Sequence, residues 1–315
     1  MISVIMPSFN HDKYIKSSVE SILNQSYFDL ELIVIDDGSK DSSVKYLETI
    51  RDTRFKLIKQ ENKGAHLAIN TGLNMAKGDY ISIINSDDRY CIDRLEKIIS
   101  FMNSRKIEFC CSWIELINEH GKLINVKKSW ENFRPKWSNG YIEVDSYTET
   151  YNKNLLTSNF ISTTSNMVFT RNVLSTIGYF ENLKFCHDWD FALRVALDFK
   201  CYCLELPLVK YRSHSTNTIN SSFDRMMFEI CWIRSKYQDD FLKKYRLKNK
   251  NNDEDYFFME EILSIEPYNE VIESISKYCS HKGGNREESY KNLLEDYSSR
   301  ELFINMISKI SSEVL

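Results

Sequence analysis

The sequence predicts an α/β fold with a mainly parallel sheet, flanking helices and a helical C-terminal extension. Short apolar runs rich in β-branched residues begin near residues 2, 30, 55 and 80, and segments with helical periodicity separate them. Repeated units of strand and helix build parallel sheets with right-handed crossovers. With 315 residues, 42% of them hydrophobic, the chain can bury one large core, or one core and an appendage. We expect a main domain at residues 1–216 and an extension at residues 217–315.

Composition argues against several classes of protein. The formal net charge is −4, and 41 basic and 45 acidic side chains are mixed along the chain, so no basic field favours nucleic acid. The eight cysteines show no CxxC spacing and mostly lie in apolar runs, as reduced thiols do in the cytosol. The N-terminus lacks the basic region of a signal peptide, and no stretch approaches about 18 uninterrupted apolar residues. We expect no ordinary membrane-spanning helix, and peripheral membrane contact stays open.

Polar residues follow each of the first four predicted strands. In an open α/β sheet, ligands bind outside the carboxyl ends of the strands, so these residues should converge on one crevice. The predicted strands are Ile2 to Met6, Leu30 to Ile35, Phe55 to Ile58 and Tyr80 to Ile84. The polar residues that follow them are Ser8 and Asn10, Asp36 and Asp37, residues 60–63, and residues 85–88.

The stretch GDYISIINSDDRY, residues 78–90, has the strongest chemical character. Its strand ends in Asn85, Ser86, Asp87 and Asp88. Two adjacent carboxylates at a strand end repel each other and lose hydration, so a divalent metal carrying a substrate phosphate would explain them. The alternative is that these residues only turn the chain and cap the next helix, which is expected near Asp93. The motif alone favours neither interpretation.

Two common nucleotide-binding fingerprints are missing from the sequence. No GxGxxG follows the first strand, and no GxxxxGK[ST] occurs anywhere. A nicotinamide or P-loop enzyme is therefore disfavoured. Carboxylates with one lysine at the strand ends suit a metal-bridged diphosphate better than a phosphate held by backbone amides.

The middle of the chain is less regular. A helix is expected over residues 93–102 and a strand over residues 109–117. Residues 118–160 contain mixed aromatic and polar residues and are predicted to form a long connection. We expect this connection to contact the acceptor substrate. The aromatic residues are Trp130, Phe133, Trp137 and Tyr141.

The segment FCHDWDFALRVAL, residues 185–197, predicts a helix with Asp188 in its first turn. An acid there is favoured by the helix dipole, which is a sufficient structural explanation for Asp188. Asn166 to Thr170, Cys201 to Leu204 and Leu208 to Tyr211 are predicted strands. The last of these leads to Arg212 and His214. An isolated histidine is more often structural, but the neighbouring Arg212 makes this loop favourable for anions.

The pattern after residue 220 is helical. Apolar residues between 223 and 242 recur at helical spacing, as expected for a helix packed on the main domain. The basic residues Lys243, Lys244, Arg246, Lys248 and Lys250 suit either anionic lipid or a solvated helix end balanced by the acids at 253–255.

Five motifs in order resemble the family 2 glycosyltransferases, which have a GT-A fold. The motifs are SVIMPSFN, ELIVIDDGSKD, ENKGAHLAINTGLNMAKGDYISIINSDD, HDWDFALRV and YRSH, and together they span about residues 2–216. The resemblance implies an inverting enzyme that uses a nucleotide sugar and Mn²⁺ or Mg²⁺. It also implies a GT-A fold for the main domain.

The resemblance assigns roles to individual residues. It implies that Asp188 is the catalytic base, with His187 in place of the usual glutamate. It implies that Asp87 or Asp88 and His214 bind the metal, since Asn85 replaces the first acid of a DxD-like element. The residues that it implies for nucleotide binding are Pro7, Ser8, Phe9, Asn10, Asp36, Asp37, Lys63, Asn85 and Ser86.

We expect a metal-dependent transferase that moves a sugar from a nucleotide sugar, a UDP-sugar above all, to a hydroxyl of a saccharide or lipid-linked saccharide. Its expected location is cytoplasmic, with peripheral attachment to the inner face of the membrane and a role in surface glycan synthesis. There are two alternatives to this function. The changes at Asn85 and His187 leave open a noncatalytic partner subunit. A nucleotidyltransferase is disfavoured, because the segment PSFNHDKY after the first strand lacks the glycine- and arginine-rich phosphate loop of that class.

Overall fold

A computed structural model describes residues 1–132, 147–246, 265–281 and 285–314 of the chain. Its first half is the parallel sheet that the sequence predicts. The strands pair in the order β3-β2-β1-β4, all in parallel. Every residue of β1 and β2 is buried, as expected for strands covered on both faces. The strands are β1 (Ile2–Ser8), β2 (Leu30–Asp36), β3 (Phe55–Lys59) and β4 (Tyr80–Ile83).

Helices cover the two faces of this sheet. Helices α1 (Ile15–Leu23) and α4 (Arg94–Arg105) pack on one face, and α3 (Ala65–Met75) packs on the other. The short helix α2 (Ser43–Leu47) follows β2. Helix α3 approaches β1 closely at Gly72, where an added Cβ would lie 2.3 Å from Ile5 Cγ2.

The second half of the sheet is mixed. It continues from β4 in the order β8-β6-β9-β5, and β7 pairs with β6. Strand β8 runs antiparallel to both β4 and β6, whereas β6 and β9 are parallel. The additional strands are β5 (Arg89–Tyr90), β6 (Phe109–Ile117), β7 (Leu123–Lys127), β8 (Val168–Thr170) and β9 (Cys201–Arg212).

Two details of the predicted strands need correction. The two short strands expected at residues 201–204 and 208–211 are one continuous strand, β9, which has an irregular register against β6 near Pro207. The strand expected from Asn166 begins at Val168. Asn166 is instead the last residue of a short 3-10 turn, and it contacts β6 through its side chain. Its amide accepts the Ser112 N–H at 2.9 Å and donates to the Ser112 carbonyl at 2.8 Å.

Residues 118–160 are more regular than expected. They contain β7 and the helix α5 (Tyr147–Thr157). Trp130 packs against Tyr147, Tyr151 and Phe160 with ring centroids 5.0–6.0 Å apart, which makes it part of the core packing. The other aromatic residues of the predicted acceptor segment, Phe133, Trp137 and Tyr141, lie outside the described residues.

The C-terminal part is helical, as predicted, and shares its core with the sheet. One hydrophobic cluster runs from Ile5 in β1 through α3 to residues of each helix described after residue 222, including Ile307. None of the helices in the described ranges is long and apolar enough to cross a membrane. The remaining helices are α6 (Arg171–Ile177), α7 (His187–Asp198), α8 (Phe223–Arg246), α9 (Asn269–His281), α10 (Arg286–Glu295) and α11 (Tyr297–Val314).

Candidate functional site

Three side chains converge beyond the carboxyl ends of the strands. His11 follows β1, Asp87 follows β4 and His214 follows β9. Asp87 Oδ2 lies 3.0 Å from His214 Nε2 and 3.8 Å from His11 Nε2. One ligand atom from each residue falls within 4.8 Å of the other two. This spacing fits a divalent ion held by two imidazoles and one carboxylate.

Both imidazoles are oriented by a hydroxyl group. His11 Nδ1 lies 2.7 Å from Ser86 Oγ, and His214 Nδ1 lies 2.8 Å from Thr216 Oγ1. In the structure, His214 Nε2 is placed to donate to Asp87 Oδ2 at 3.0 Å. With an ion bound between these groups, the proton of each ring would be on Nδ1, which would donate to its hydroxyl, and the Nε2 lone pairs would face the ion. Hydrogen bonds of this kind from the second ring nitrogen are typical of histidines that bind metals.

Asp87 and Asp88 have different surroundings, which the sequence could not distinguish. Asp88 Oδ1 accepts the Arg212 N–H at 2.8 Å, and Asp88 Oδ2 accepts the Ser165 hydroxyl at 2.5 Å. Burial, followed by the charge of Asp87, raises the pKa of Asp88 well above its usual value. Burial alone would also raise the pKa of Asp87, but His214 and His11 lower it overall. Asp87 is therefore the carboxylate that faces the imidazoles.

The loop between β4 and β5 is held from two sides. Arg212 Nε donates to the Asp87 carbonyl at 2.8 Å, and the guanidinium lies 4.7 Å from the ring centroid of Tyr14. The Ser18 hydroxyl on α1 is within 2.9 Å of the Ser86 carbonyl and 2.5 Å of the Asp88 carbonyl. Strand β9 and helix α1 thus set the position of the Asp87 side chain.

Asn85 is engaged by a neighbouring turn. Its Nδ2 donates to Thr163 Oγ1 at 3.1 Å, and its Oδ1 accepts the Thr164 hydroxyl at 3.0 Å. The backbone N–H of Asn85 donates to Ser165 Oγ at 2.9 Å. The amide therefore links the end of β4 to the 3-10 turn before β8. Its predicted contact with a nucleotide stays a prediction.

The ends of β1 and β2 present buried polar atoms with open hydrogen-bonding capacity. Ser8 and Asp36 are directly paired in the sheet. Ser8 Oγ and Asp36 Oδ1 are buried, and neither has a hydrogen-bond partner in the described part of the chain. Asp36 Oδ2 accepts the Ser39 N–H at 3.0 Å. Buried polar atoms without partners are costly, so this pair is suited to a ligand that supplies a donor and an acceptor.

The residues around this pair form the rest of the predicted nucleotide site. Pro7 lies within buried β1, and the Phe9 side chain is exposed. Asn10 has a left-handed backbone with φ of 54°, and its Oδ1 accepts the Lys40 N–H at 2.7 Å. These contacts join the loop after β1 to the loop after β2.

Asp37 organises the loop that precedes α3. Its Oδ1 accepts from the Lys63 N–H at 2.9 Å and from Gln60 Nε2 at 2.8 Å, and its Oδ2 accepts the Gly64 N–H at 2.9 Å. Gly64 has φ of 93°, a conformation that glycine adopts readily. The Lys63 side chain stays exposed, so it is free to approach an anion at this edge.

Asp188 lies in the first turn of α7 and is buried. Its Oδ1 accepts the Trp189 N–H at 2.7 Å. Burial raises the pKa of Asp188, and the charge of His187 opposes this shift. Tyr211 at the end of β9 has its pKa raised by burial and then by the charges of Asp88, Asp87 and Asp188. Asp188 therefore lies close enough to Tyr211 to affect it electrostatically, as Asp87 and Asp88 do.

Two site residues were missed by the sequence-based interpretation. His11 directly follows the polar end of β1, and that position was the available signal. His66 lies in the first turn of α3, and burial, with a contribution from His187, lowers its pKa to about 4. Both His66 Nε2 and His187 Nδ1 are buried, with no hydrogen-bond partner within the described ranges. No local pattern in the sequence indicates that His66 and His187 are neighbours.

The fold and this group of residues define a class of protein. A sheet with polar side chains gathered beyond the carboxyl ends of its parallel strands is the arrangement in which open α/β proteins bind ligands. The chain belongs to glycosyltransferase family 2, because the model of glycosyl transferase family 2 matches residues 3–178. The resemblance seen in the five motifs is thereby confirmed.

Curated relatives are named as glycosyltransferases or, in one case, as a glucosyltransferase. The chain is 32% identical over 219 residues to the uncharacterized glycosyltransferase MJ1057 of Methanocaldococcus jannaschii. This match covers 67% of this chain and 70% of the relative. It is 38% identical over 132 residues to WfgD of Escherichia coli, a UDP-Glc:alpha-D-GlcNAc-diphosphoundecaprenol beta-1,3-glucosyltransferase, across 41% of this chain and 52% of the relative. With an uncharacterized glycosyltransferase of Haemophilus influenzae the match is 46% identical over 105 residues, across 32% of this chain and 42% of the relative. The chain thus spans about half the length of the last two relatives.

A solved structure shows the same fold. Residues 1–349 of TarS from S. aureus, in complex with UDP-GlcNAc, superpose with a TM-score of 0.60 at 18% identity, covering 95% of this chain and 81% of that chain. At this identity the likeness concerns the fold alone. It confirms the fold class expected from the sequence.

Proposed function

We propose that the protein is a metal-dependent inverting glycosyltransferase. It moves a sugar from a nucleotide sugar to a hydroxyl of a saccharide or lipid-linked saccharide. The observation that carries this proposal is the convergence of His11, Asp87 and His214 at the same edge of the sheet as the open polar atoms of Ser8 and Asp36. Membership of glycosyltransferase family 2 supports the type of reaction.

The nucleotide occupies the edge of β1 and β2. Ser8 Oγ and Asp36 Oδ1 offer a donor and an acceptor to a nucleobase or ribose, and the loop from Pro7 to Asn10 surrounds them. Asp37 holds the loop that carries Lys63, whose ammonium group approaches the phosphates. Uridine is favoured, because the name of WfgD specifies UDP-Glc and TarS is described with UDP-GlcNAc.

The residues that would hold a divalent ion are His11, Asp87 and His214. Two imidazoles and one carboxylate suit Mn²⁺ better than Mg²⁺, which prefers oxygen ligands and retains its waters. A bound ion would stabilise the negative charge of the departing diphosphate as a Lewis acid. Asp88, whose oxygens already accept from Arg212 and Ser165, shapes the loop instead of binding the ion.

Asp188 acts as the general base. The acceptor oxygen forms a bond to the anomeric carbon as the bond from that carbon to the diphosphate oxygen breaks, and Asp188 takes the proton of the acceptor hydroxyl. Burial raises the pKa of Asp188, which makes the carboxylate a stronger base than an exposed aspartate. Attack from the side opposite to the leaving group inverts the anomeric centre, so an α-linked donor yields a β-linked product.

The biological context is surface glycan assembly on the cytoplasmic side of a membrane. The names of WfgD, whose acceptor is a diphosphoundecaprenol-linked sugar, and of the Bacillus subtilis relative TuaG, a putative teichuronic acid biosynthesis glycosyltransferase, support it. A lipid-linked acceptor would bring the protein to the membrane surface. Peripheral attachment therefore belongs to the same proposal.

The test begins with binding. UDP-, GDP- and dTDP-sugars are screened for thermal stabilisation with Mn²⁺ and with EDTA, since a ligand that binds the folded state raises the melting temperature. We expect UDP-sugars with Mn²⁺ to stabilise the protein and to be hydrolysed slowly.

Turnover is then compared between wild type and Asp188→Asn. We expect the variant to bind the donor normally and to lose about 10²–10⁴-fold in kcat. Asp239→Asn on α8 is the matched control, since this carboxylate is 57% exposed. Donor binding without turnover in the wild type, after a broad acceptor screen, would instead favour a noncatalytic partner subunit.

A further inference from the structure

A buried glutamate of the C-terminal helices binds the backbone just before α7. Glu229 lies on α8, and only 8% of its surface is exposed. Its Oε1 accepts the Lys184 N–H at 2.8 Å, and its Oε2 accepts the N–H groups of Phe185 and Cys186 at 2.7 and 2.9 Å. One carboxylate from residue 229 thus satisfies three consecutive amides more than 40 positions earlier in the chain.

The last of these amides is that of Cys186, the N-cap residue of α7, and the other two immediately precede the helix. Cys186 occupies the N-cap position, and its side chain makes no capping hydrogen bond. The first N–H groups of a helix have no partner within the helix, so they need an external acceptor. Hydrogen bonds from N–H groups to a carboxylate are stronger than those to a neutral acceptor, and a negative charge is favoured at a helix N-terminus. Glu229 therefore caps the N–H of the N-cap residue and holds the two residues before the helix, from another segment of the chain.

The capped residues immediately precede Asp188. Cys186, the last residue that Glu229 contacts, is two positions before it, and Asp188 Oδ1 accepts the Trp189 N–H in the first turn of the helix. A shift of the 184–186 backbone would therefore move the Asp188 carboxylate with it. Displacement of a catalytic group by about 1 Å can cost about 100-fold in rate.

We propose that Glu229 is a positioning residue for Asp188, through which the C-terminal helices set the geometry of the base. The inference rests on the proposed role of Asp188 in sugar transfer. It makes α8 part of the catalytic unit. The burial of Glu229 agrees with this role, because a carboxylate buried to this extent is stable only where its oxygens are saturated with donors.

The charge balance around Glu229 is consistent with the same arrangement. Burial raises the pKa of Glu229 to about 7, the three N–H groups oppose this shift, and the charge of Asp188 adds to it. The two carboxylates are therefore close enough to interact. Glu229 faces the amides of residues 184–186, and Asp188 Oδ1 faces the Trp189 N–H.

The test compares Glu229→Gln and Glu229→Asp with the control Asp239→Asn on the same helix. Hydrogen exchange of the amides at 184–186 reports on the cap without any substrate. We expect exchange there to accelerate at least about tenfold in Glu229→Gln, because its NH₂ group cannot accept from a backbone N–H. Glu229→Asp keeps the charge and should restore part of the protection. Unchanged exchange in Glu229→Gln would overturn the proposal.

Kinetics then separate positioning from simple loss of folded protein. Measured below the melting temperature, Glu229→Gln should lose about 10- to 100-fold in kcat, with the KM for the nucleotide sugar within about twofold of wild type. Combined with Asp188→Asn, it should add little further loss, because both changes remove the same function. An unchanged kcat in folded Glu229→Gln, or a fully additive double variant, would contradict the inference. If Asp188→Asn alone kept full activity, the proposed base would be wrong, while the exchange result would still test the cap.

Discussion

Asp87 and Asp88 are adjacent in the chain, yet the structure shifts their pKa values in opposite directions. His214 and His11 lower the pKa of Asp87 against the effect of burial, whereas burial and the charge of Asp87 raise the pKa of Asp88. Asp87 faces two imidazoles, and Asp88 faces the Arg212 N–H and the Ser165 hydroxyl. The pair therefore divides into a candidate ligand and a structural acceptor.

This division predicts different effects of two substitutions. Asp88→Ala leaves the Arg212 N–H and the Ser165 hydroxyl without an acceptor, so it should lower the free energy of unfolding by about 1–3 kcal/mol. Asp87→Ala should abolish thermal stabilisation by Mn²⁺ with a smaller change in the stability of the metal-free protein. Urea unfolding and Mn²⁺ titration measure the two effects. The reverse pattern would assign the metal to Asp88.

Removal of the hydroxyl behind His214 should weaken metal binding without removal of a ligand. Thr216 Oγ1 lies 2.8 Å from His214 Nδ1. Thr216→Val keeps the shape of the side chain and should lower the affinity for Mn²⁺ about 10- to 100-fold. Titration calorimetry gives the affinity, and Thr218→Val, two residues further on, is the control. Equal affinities in the two variants would show that Thr216 does not orient the ring.

His66 should make stability dependent on pH below neutrality. Its pKa is about 4 in the folded protein and 6.5 in the unfolded chain, so between these values the unfolded state binds more protons. The free energy of unfolding should fall as the pH falls from 6.5 to 4, and this contribution is fully lost below pH 4.

His66→Gln should flatten part of this slope, measured by urea unfolding at several pH values. His187 adds to the slope in the same direction, because burial lowers its pKa too. His120→Gln is the control, since the His120 side chain is 81% exposed. A His66→Gln profile as steep as that of wild type would show that His66 is not buried in its neutral form.

Gly78 should tolerate no side chain. A Cβ at this position would lie 2.5 Å from the backbone nitrogen of Ser3 and 2.8 Å from the carbonyl carbon of Ile2. Because both atoms belong to β1, neither can move as a flexible side chain would. Gly78→Ala should lower the free energy of unfolding by about 1–3 kcal/mol or more, seen as a lower urea midpoint. An unchanged midpoint would mean that β1 lies further from this turn.

Local patterns were sufficient to predict the first four strands and the polar residues at their ends. Each of these strands is a short apolar run between helical segments, so a few adjacent residues are enough to identify it as a strand. The same holds for α8, with its long apolar face. The continuous strand β9 was predicted as two, because its continuity through the irregular register at Pro207 depends on pairing with β6, which is distant in the sequence.

The arrangement of the site required the tertiary structure. The difference between Asp87 and Asp88 depends on Arg212 and Ser165, which are far from them in sequence. The polar residues predicted after β1 were Ser8 and Asn10, and His11 beside them was not singled out. Glu229 lies on a helix that was predicted only from its apolar face. Long-range contacts thus determine which of several candidate polar residues are used.

The connectivity of the sheet also constrains when the site can form during synthesis. His11 and Asp87 leave the ribosome early, but His214 is 127 residues after Asp87 and follows β9. In a nascent chain, strands β1, β2, β3 and β4 can pair before β9 is synthesised. Such a chain lacks His214, the third candidate ligand, and the Arg212 N–H that binds Asp88. Mn²⁺ affinity should therefore arise late in translation, so that the ion stabilises only molecules whose central sheet is complete.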